Sequence, residues 1–105
     1  MGVAYIPVAR VGELEAGARK AVDLGGRRVF VTNVDGEHYA YSSQCPHEAT
    51  ELDDAEIKGT RLRCLAHSYC FDLRTGECTI PRGGPPLTVL PVEQRDDDIC
   101  VRLEW

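Results

Sequence analysis

The stretch Arg28-Val29-Phe30-Val31-Thr32-Asn33-Val34-Asp35-Gly36-Glu37-His38-Tyr39-Ala40-Tyr41-Ser42 decides the architecture. Arg28 to Asn33 and Glu37 to Ser42 are rich in β-branched and aromatic residues and flank Val34-Asp35-Gly36. Asp-Gly between two such runs signals a tight hairpin, because both turn residues accept the left-handed backbone that the turn demands. Working outward, Tyr5 to Ala9, Ala21 to Leu24, Arg61 to Arg63, Cys70 to Leu73, Cys78 to Ile80, Leu87 to Val92 and Ile99 to Leu103 read as further short strands. Gly25-Gly26 and Arg74-Thr75-Gly76-Glu77 supply turns, and Val11 to Glu15 is the one place for a brief turn of helix. The sum is an all-β chain, a small antiparallel sandwich or barrel.

Two segments break this strand rhythm. Gln44 to Gly59 carries Glu48, Glu51, Asp53, Asp54 and Glu56, and Pro81 to Pro86 reads Pro-Arg-Gly-Gly-Pro-Pro, three of whose residues lack a backbone donor. Irregular loops of this kind on a small β scaffold usually carry function.

Composition narrows the function classes. The chain has 105 residues, and 43% hydrophobic content supplies an ordinary core for a single domain, expected to span 1–105. Twelve Lys and Arg against seventeen Asp and Glu leave a net charge of −5, which argues against a nucleic-acid binder, since such affinity rests on neutralising phosphates. No apolar run is long enough for a membrane span, and Met1-Gly2-Val3-Ala4-Tyr5 lacks the features of a secretory signal, so a cytoplasmic location and no membrane partner are expected. Five cysteines are an odd number for a disulfide framework. Clustered with histidines in a chain without an export signal, they point to metal or redox chemistry.

Cys45-Pro46-His47 and Cys64-Leu65-Ala66-His67 lie sixteen residues apart, so two Cys-His pairs stand at opposite ends of one loop-rich segment. Two thiolates and two imidazoles suit tetrahedral zinc or an iron–sulfur cluster. A one-residue Cys-x-His spacing is awkward for two ligands on one tetrahedral ion, yet a zinc-stabilised interaction module stays open at this point.

The segment from Gln44 to Val92 resembles the Rieske ferredoxins. It has C-P-H, a sixteen-residue gap, C-x-x-H, the run Phe71-Asp72-Leu73-Arg74-Thr75-Gly76, and a Pro-rich third loop followed by Leu-Pro-Val at Leu90 to Val92. The resemblance implies a Rieske fold with a loop-rich cluster-binding subdomain over about 44–86, and one [2Fe–2S] cluster of Rieske type. Cys45 and Cys64 would bind the buried iron, and His47 and His67 the outer one. Pro46, Glu48, Ala66, Ser68, Arg82, Gly83, Gly84 and Pro85 would ring the face that meets partners.

It further implies a monomeric electron carrier, not an enzyme in itself, that takes single electrons from an NADH-dependent flavin reductase to a terminal oxygenase or hydroxylase. Neither loop has the extra cysteines of high-potential Rieske proteins, and Tyr69 and Phe71 stand where those proteins place a serine and a tyrosine against cluster sulfur. A potential near the low end of the Rieske range is therefore expected. Ala66 before His67, with Thr79-Ile80-Pro81, is similar to the ferredoxins of toluene 4-monooxygenase-type diiron systems, which makes a diiron hydroxylase the expected acceptor and an aromatic-ring dioxygenase the alternative.

The remaining candidates receive plain structural expectations. His38 reads as an exposed strand residue, and Cys70, Cys78 and Cys100 as small buried hydrophobes. The acidic stretch from Glu48 to Glu56 reads as a solvated face, Asp96 to Asp98 as a solvated turn, and Trp105 as packing at the domain edge.

Overall fold

A computed structural model describes residues 1–48 and 50–104. The reading of Trp105 lies outside the described residues. Eleven strands form three antiparallel sheets, and no helix occurs among the described residues. β1 (Val3–Arg10), β11 (Asp98–Glu104) and β10 (Val92–Arg95) make the first sheet, in the order β1-β11-β10. β2 (Arg19–Leu24), β3 (Arg27–Val34), β4 (Glu37–Ser42) and β9 (Val89–Leu90) make the second. The third is inserted between β4 and β9: β5 (Glu56–Lys58), β6 (Arg61–Arg63), β7 (Cys70–Asp72) and β8 (Cys78–Ile80).

The central hairpin forms where expected. Asp35 and Gly36 take φ of 51° and 94° between β3 and β4, and Val34 pairs with Glu37 across the turn. β3 has a near-continuous buried run because it serves two cores. Val29 and Val31 face one core with Val8, Ala40, Ile99 and Val101, while Phe30 faces the other with Tyr41, Leu62, Phe71, Leu73 and Leu87. Alternate side chains of a strand point to opposite faces, so the second sheet is packed on both sides. Its outer face meets the first sheet; its inner face carries the third sheet and the loops that hold the chemistry.

Four local expectations change. Val11 to Glu15 makes turns rather than helix, because Gly12 and Gly17 take φ of 85° and 88° and Leu14 is drawn into the first core. Buried Asn33 fixes this segment by donating from Nδ2 to the Leu14 carbonyl at 2.8 Å. The single strand expected over Leu87 to Val92 splits at Pro91, which has no N–H for a ladder, and the chain passes from the second sheet to the first. β5 was not legible, since Glu56-Ile57-Lys58 lies in an acidic stretch with a single apolar residue. Asp98 belongs to β11, which leaves Asp96 and Asp97 as the turn.

Candidate metal centre

Two short backbone-closed loops carry the two Cys-His pairs. In the first, the Cys45 N–H donates to the Thr50 carbonyl at 2.8 Å, a bridge joins Gln44 to Glu51, and the Leu52 N–H donates to the Ser43 carbonyl at 2.7 Å. In the second, the Cys64 N–H donates to the Tyr69 carbonyl and the Ser68 N–H to the Cys64 carbonyl, both at 2.8 Å. Ser68 takes φ of 58° to close that turn. Each cysteine thus sits at the buried root of its loop, and each histidine further out.

The two roots meet. Cys45 and Cys64 are almost wholly buried in one core cluster, close enough for the Cys64 thiol to act on Cys45, and the backbone of His47 and Glu48 lies near the Cys45 sulfur. Burial pushes the Cys45 thiol up, an effect that the backbone N–H groups of these two residues oppose. The tips meet as well. The His47 and His67 rings lie 4.6 Å apart at 63°, and the half-buried His47 ring packs on Tyr69 at 4.1 Å. His67 Nε2 is 3.2 Å from Glu48 Oε2. Two soft donors below and two borderline donors above, with backbone N–H groups near sulfur, fit a [2Fe–2S] centre whose irons differ in ligand type. The arrangement separates the thiols from the imidazoles by depth, as a two-iron unit requires.

The expected contact face is mostly exposed: Pro46, Glu48, Ala66, Ser68, Arg82, Gly83 and Pro85 all lie open to solvent. Gly84 differs in degree. It is half-buried, and a Cβ there would stand 2.8 Å from Cys78 Sγ, so it packs the third loop closely against Cys78. Cys70, Cys78 and Cys100 are buried, free thiols. His38 is also corrected: it is half-buried in β4 with Nε2 enclosed and unpartnered among the described residues, because the second sheet packs beside β10 at that point.

Three features were missed in the sequence. Leu65 and Ile80 are large apolar side chains left about half exposed, at 50% and 52%, on the second loop and at the start of the third. Leu65 lies between the two ligand types of C-L-A-H, and that position was the available signal. The acidic stretch is solvated as expected, with its five acids all exposed, but it is also tethered. Arg28 takes Glu51 at 3.0 Å and Asp53 at 2.8 Å, which holds the Asp53 carboxyl below the usual carboxylate range. Arg19, from β2, donates to the Leu52 and Ala55 carbonyls at 3.1 and 2.5 Å. No local pattern marks Arg19, since its partners are more than thirty residues away.

Arg19→Met is expected to cost about 2 kcal/mol by removing charged hydrogen bonds to two loop carbonyls. Thermal denaturation measures that loss, and chelator-driven bleaching should quicken because the Cys45 loop is no longer strutted. A variant with wild-type melting and bleaching would show the strut to be idle.

A family model described as Rieske [2Fe–2S] domain matches residues 4–91. Apoptosis-inducing factor 3 of Mus musculus is 34% identical over 90% of this chain, but the chain spans only 16% of that protein. The biphenyl dioxygenase ferredoxin subunit of Pseudomonas sp. (strain KKS102) is 32% identical over 87% of this chain and 84% of its own. Among solved structures, the ferredoxin of carbazole 1,9a-dioxygenase from Nocardioides aromaticivorans IC177 superposes with a TM-score of 0.82 at 28% identity, over 92% of this chain and 95% of that one. These two ferredoxins belong to dioxygenase systems, which shifts the balance away from the diiron monooxygenase expected from Ala66 and Thr79-Ile80-Pro81. Those few positions are exposed, on the second loop and at the end of β8, and so few surface residues are weakly tied to partner class.

Proposed function

This chain belongs to the Rieske [2Fe–2S] domain family, and on that premise we propose that it carries single electrons from an NADH-dependent flavin reductase to the terminal oxygenase of an aromatic-ring dioxygenase. The observation that carries the reading is the convergence of Cys45 and Cys64 below His47 and His67 at one end of the third sheet. Support for the acceptor class comes from the dioxygenase ferredoxins to which the chain is similar.

In this reading Cys45 and Cys64 would hold the inner iron and His47 and His67 the outer one, and the segment 44–86 would work as the cluster-binding part of a single unit over 1–105. When bound, the cluster supplies one reversible electron. The chain's own residues set the conditions for its transfer. The buried thiols keep one end dry, and the backbone N–H groups of His47 and Glu48 offset negative charge on sulfur. The histidines form the exit to solvent, so a docked partner meets imidazole before any other part of the centre. Around them Pro46, Leu65, Ala66 and Ile80 offer apolar contact area. A rim of this kind suits the small, short-lived interfaces of redox partners. The chain turns over no substrate itself, and no described helix is long and apolar enough to cross a membrane.

Phe71 is wholly buried in the core beside Cys45 and Cys64 and has no hydroxyl to direct at sulfur. The expected potential therefore lies toward the low end of the roughly −150 to +300 mV span of Rieske centres. An EPR-monitored redox titration checks this: a rhombic signal that appears only at low potential is expected, and zinc without labile sulfide would refute the cluster. The acceptor is tested by mixing the dithionite-reduced protein with an oxidised dioxygenase component and, separately, with a diiron hydroxylase. Faster reoxidation by the diiron protein would overturn the assignment.

A further inference from the structure

We propose that Glu48 is a positioning residue that lowers the reduction potential by holding His67; the inference rests on the Rieske reading above. Glu48 stands out within its acidic stretch. Glu51 and Asp53 are paired with Arg28, and Glu56 lies within 4.0 Å of Lys58 and Arg63. Among the described residues the only ion-pairing partner of Glu48 is His67, on the other loop, with Oε2 at 3.2 Å from Nε2. The contact crosses between the two loops at their exposed tips.

Its chemistry follows from the two nitrogens of an imidazole. With Nε2–H donated to the carboxylate, Nδ1 is the nitrogen left to bind iron, and the ring's tautomer and orientation are fixed. A carboxylate behind a ligating imidazole makes it a stronger donor, which favours the oxidised iron. The same negative charge opposes the electron added on reduction. Both effects act in one direction, toward a lower potential. Among the described residues His47 forms no ion pair: its ring packs on Tyr69, and a ring nitrogen stands within 4.8 Å of the Glu48 carboxylate without the 3.2 Å contact made by His67, so the two imidazoles of the site are unequal. Glu48 therefore acts on the outer iron chiefly through His67, and does so from the face where partners dock.

The test is an EPR-monitored redox titration of the cluster-loaded protein with Glu48→Gln, Glu48→Ala and, as a control, Asp54→Asn. Asp54 is an exposed acid of the same loop that forms no ion pair among the described residues. Glu48→Gln keeps an acceptor oxygen and loses the charge; Glu48→Ala loses both. The midpoint potential should rise in Glu48→Gln, rise at least as far in Glu48→Ala, and stay at the wild-type value in Asp54→Asn. Potentials that stay unchanged or fall in both Glu48 variants would overturn the proposal, as would an equal rise in Asp54→Asn, which would mean only a general field of surface charge. Should the Glu48 variants not retain the cluster, the wild type still decides by NMR: the His67 imidazole N–H must exchange with solvent more slowly than that of His47, and equal exchange overturns the contact. A wild type with no Rieske signal would bring down the proposed function itself, an outcome distinct from a Rieske protein whose potential ignores Glu48.

Discussion

His67→Ala is expected to abolish the rhombic Rieske signal, whereas His38→Ala leaves it at full intensity. His67 lies at the tip of the second loop, 4.6 Å ring to ring from His47, over a root where the two cysteine thiols meet. If His67 is a ligand as proposed, removing it would leave the outer iron with one protein ligand, and neither neighbour would replace it: Ala66 has no donor side chain, and Glu48 carries a hard carboxylate in place of an imidazole. Most of the bound iron should be lost, or what remains should lack the Rieske line shape. His38 sits near the start of β4, seven residues before Cys45, with its Nε2 enclosed and unpartnered among the described residues. Its truncation removes no described hydrogen bond from that nitrogen and should cost under about 1 kcal/mol. Iron and sulfide analysis with EPR on both variants reads the outcome. Equal loss in the two would refute the assignment of His67 as a ligand.

Gly76→Ala should be among the most damaging single-methyl changes in the chain. Gly76 takes φ of 83° in the turn between β7 and β8, and its carbonyl accepts the Leu87 N–H at 2.8 Å. A Cβ there would fall 2.2 Å from the Leu87 carbonyl oxygen, far inside contact distance and against backbone that no rotamer change can move. The left-handed conformation alone costs a residue with a side chain about 1–2 kcal/mol. Displacing the buried Leu87 adds to that, since it closes the core beneath the third loop. The total should reach about 3 kcal/mol, or a fall in melting temperature on the order of 10 °C or more for a domain of this size. Gly59→Ala is the control: its φ is 58°, but no atom stands within 4 Å of the added methyl, so only the conformational cost applies. If the two variants melt together, the third loop is yielding and its packing on Gly76 is unimportant.

How much of this was legible varies by element, for physical reasons. The Asp35-Gly36 hairpin was readable because a two-residue turn is set by the backbone preferences of its own residues. The Cys-His pairs were readable because donor chemistry and spacing are local properties, and the structure brings Cys45, His47, Cys64 and His67 to one place. The helical turn at Val11 to Glu15 failed because two glycines in left-handed backbone outweighed the weak propensity between them. For partner class, the relatives favour the dioxygenase alternative over the diiron system read from Ala66 and Thr79-Ile80-Pro81, where a handful of exposed residues had to stand for an entire docking surface.

By itself the sequence determined the all-β character, the two ligand-bearing loops, the soft-plus-borderline donor set and the burial of the three spare cysteines. Only the tertiary structure decided that β3 serves two cores, that Pro91 hands the chain from one sheet to another, and that Gly84 and His38 are half-buried. It also decided that Arg19 and Arg28 tether the acidic loop and that Glu48 reaches His67. The division follows contact range. Turns and ligand motifs are fixed by residues a few positions apart, whereas tethers and cross-loop pairs join residues nineteen to thirty-six positions apart that meet only once the sheets have packed.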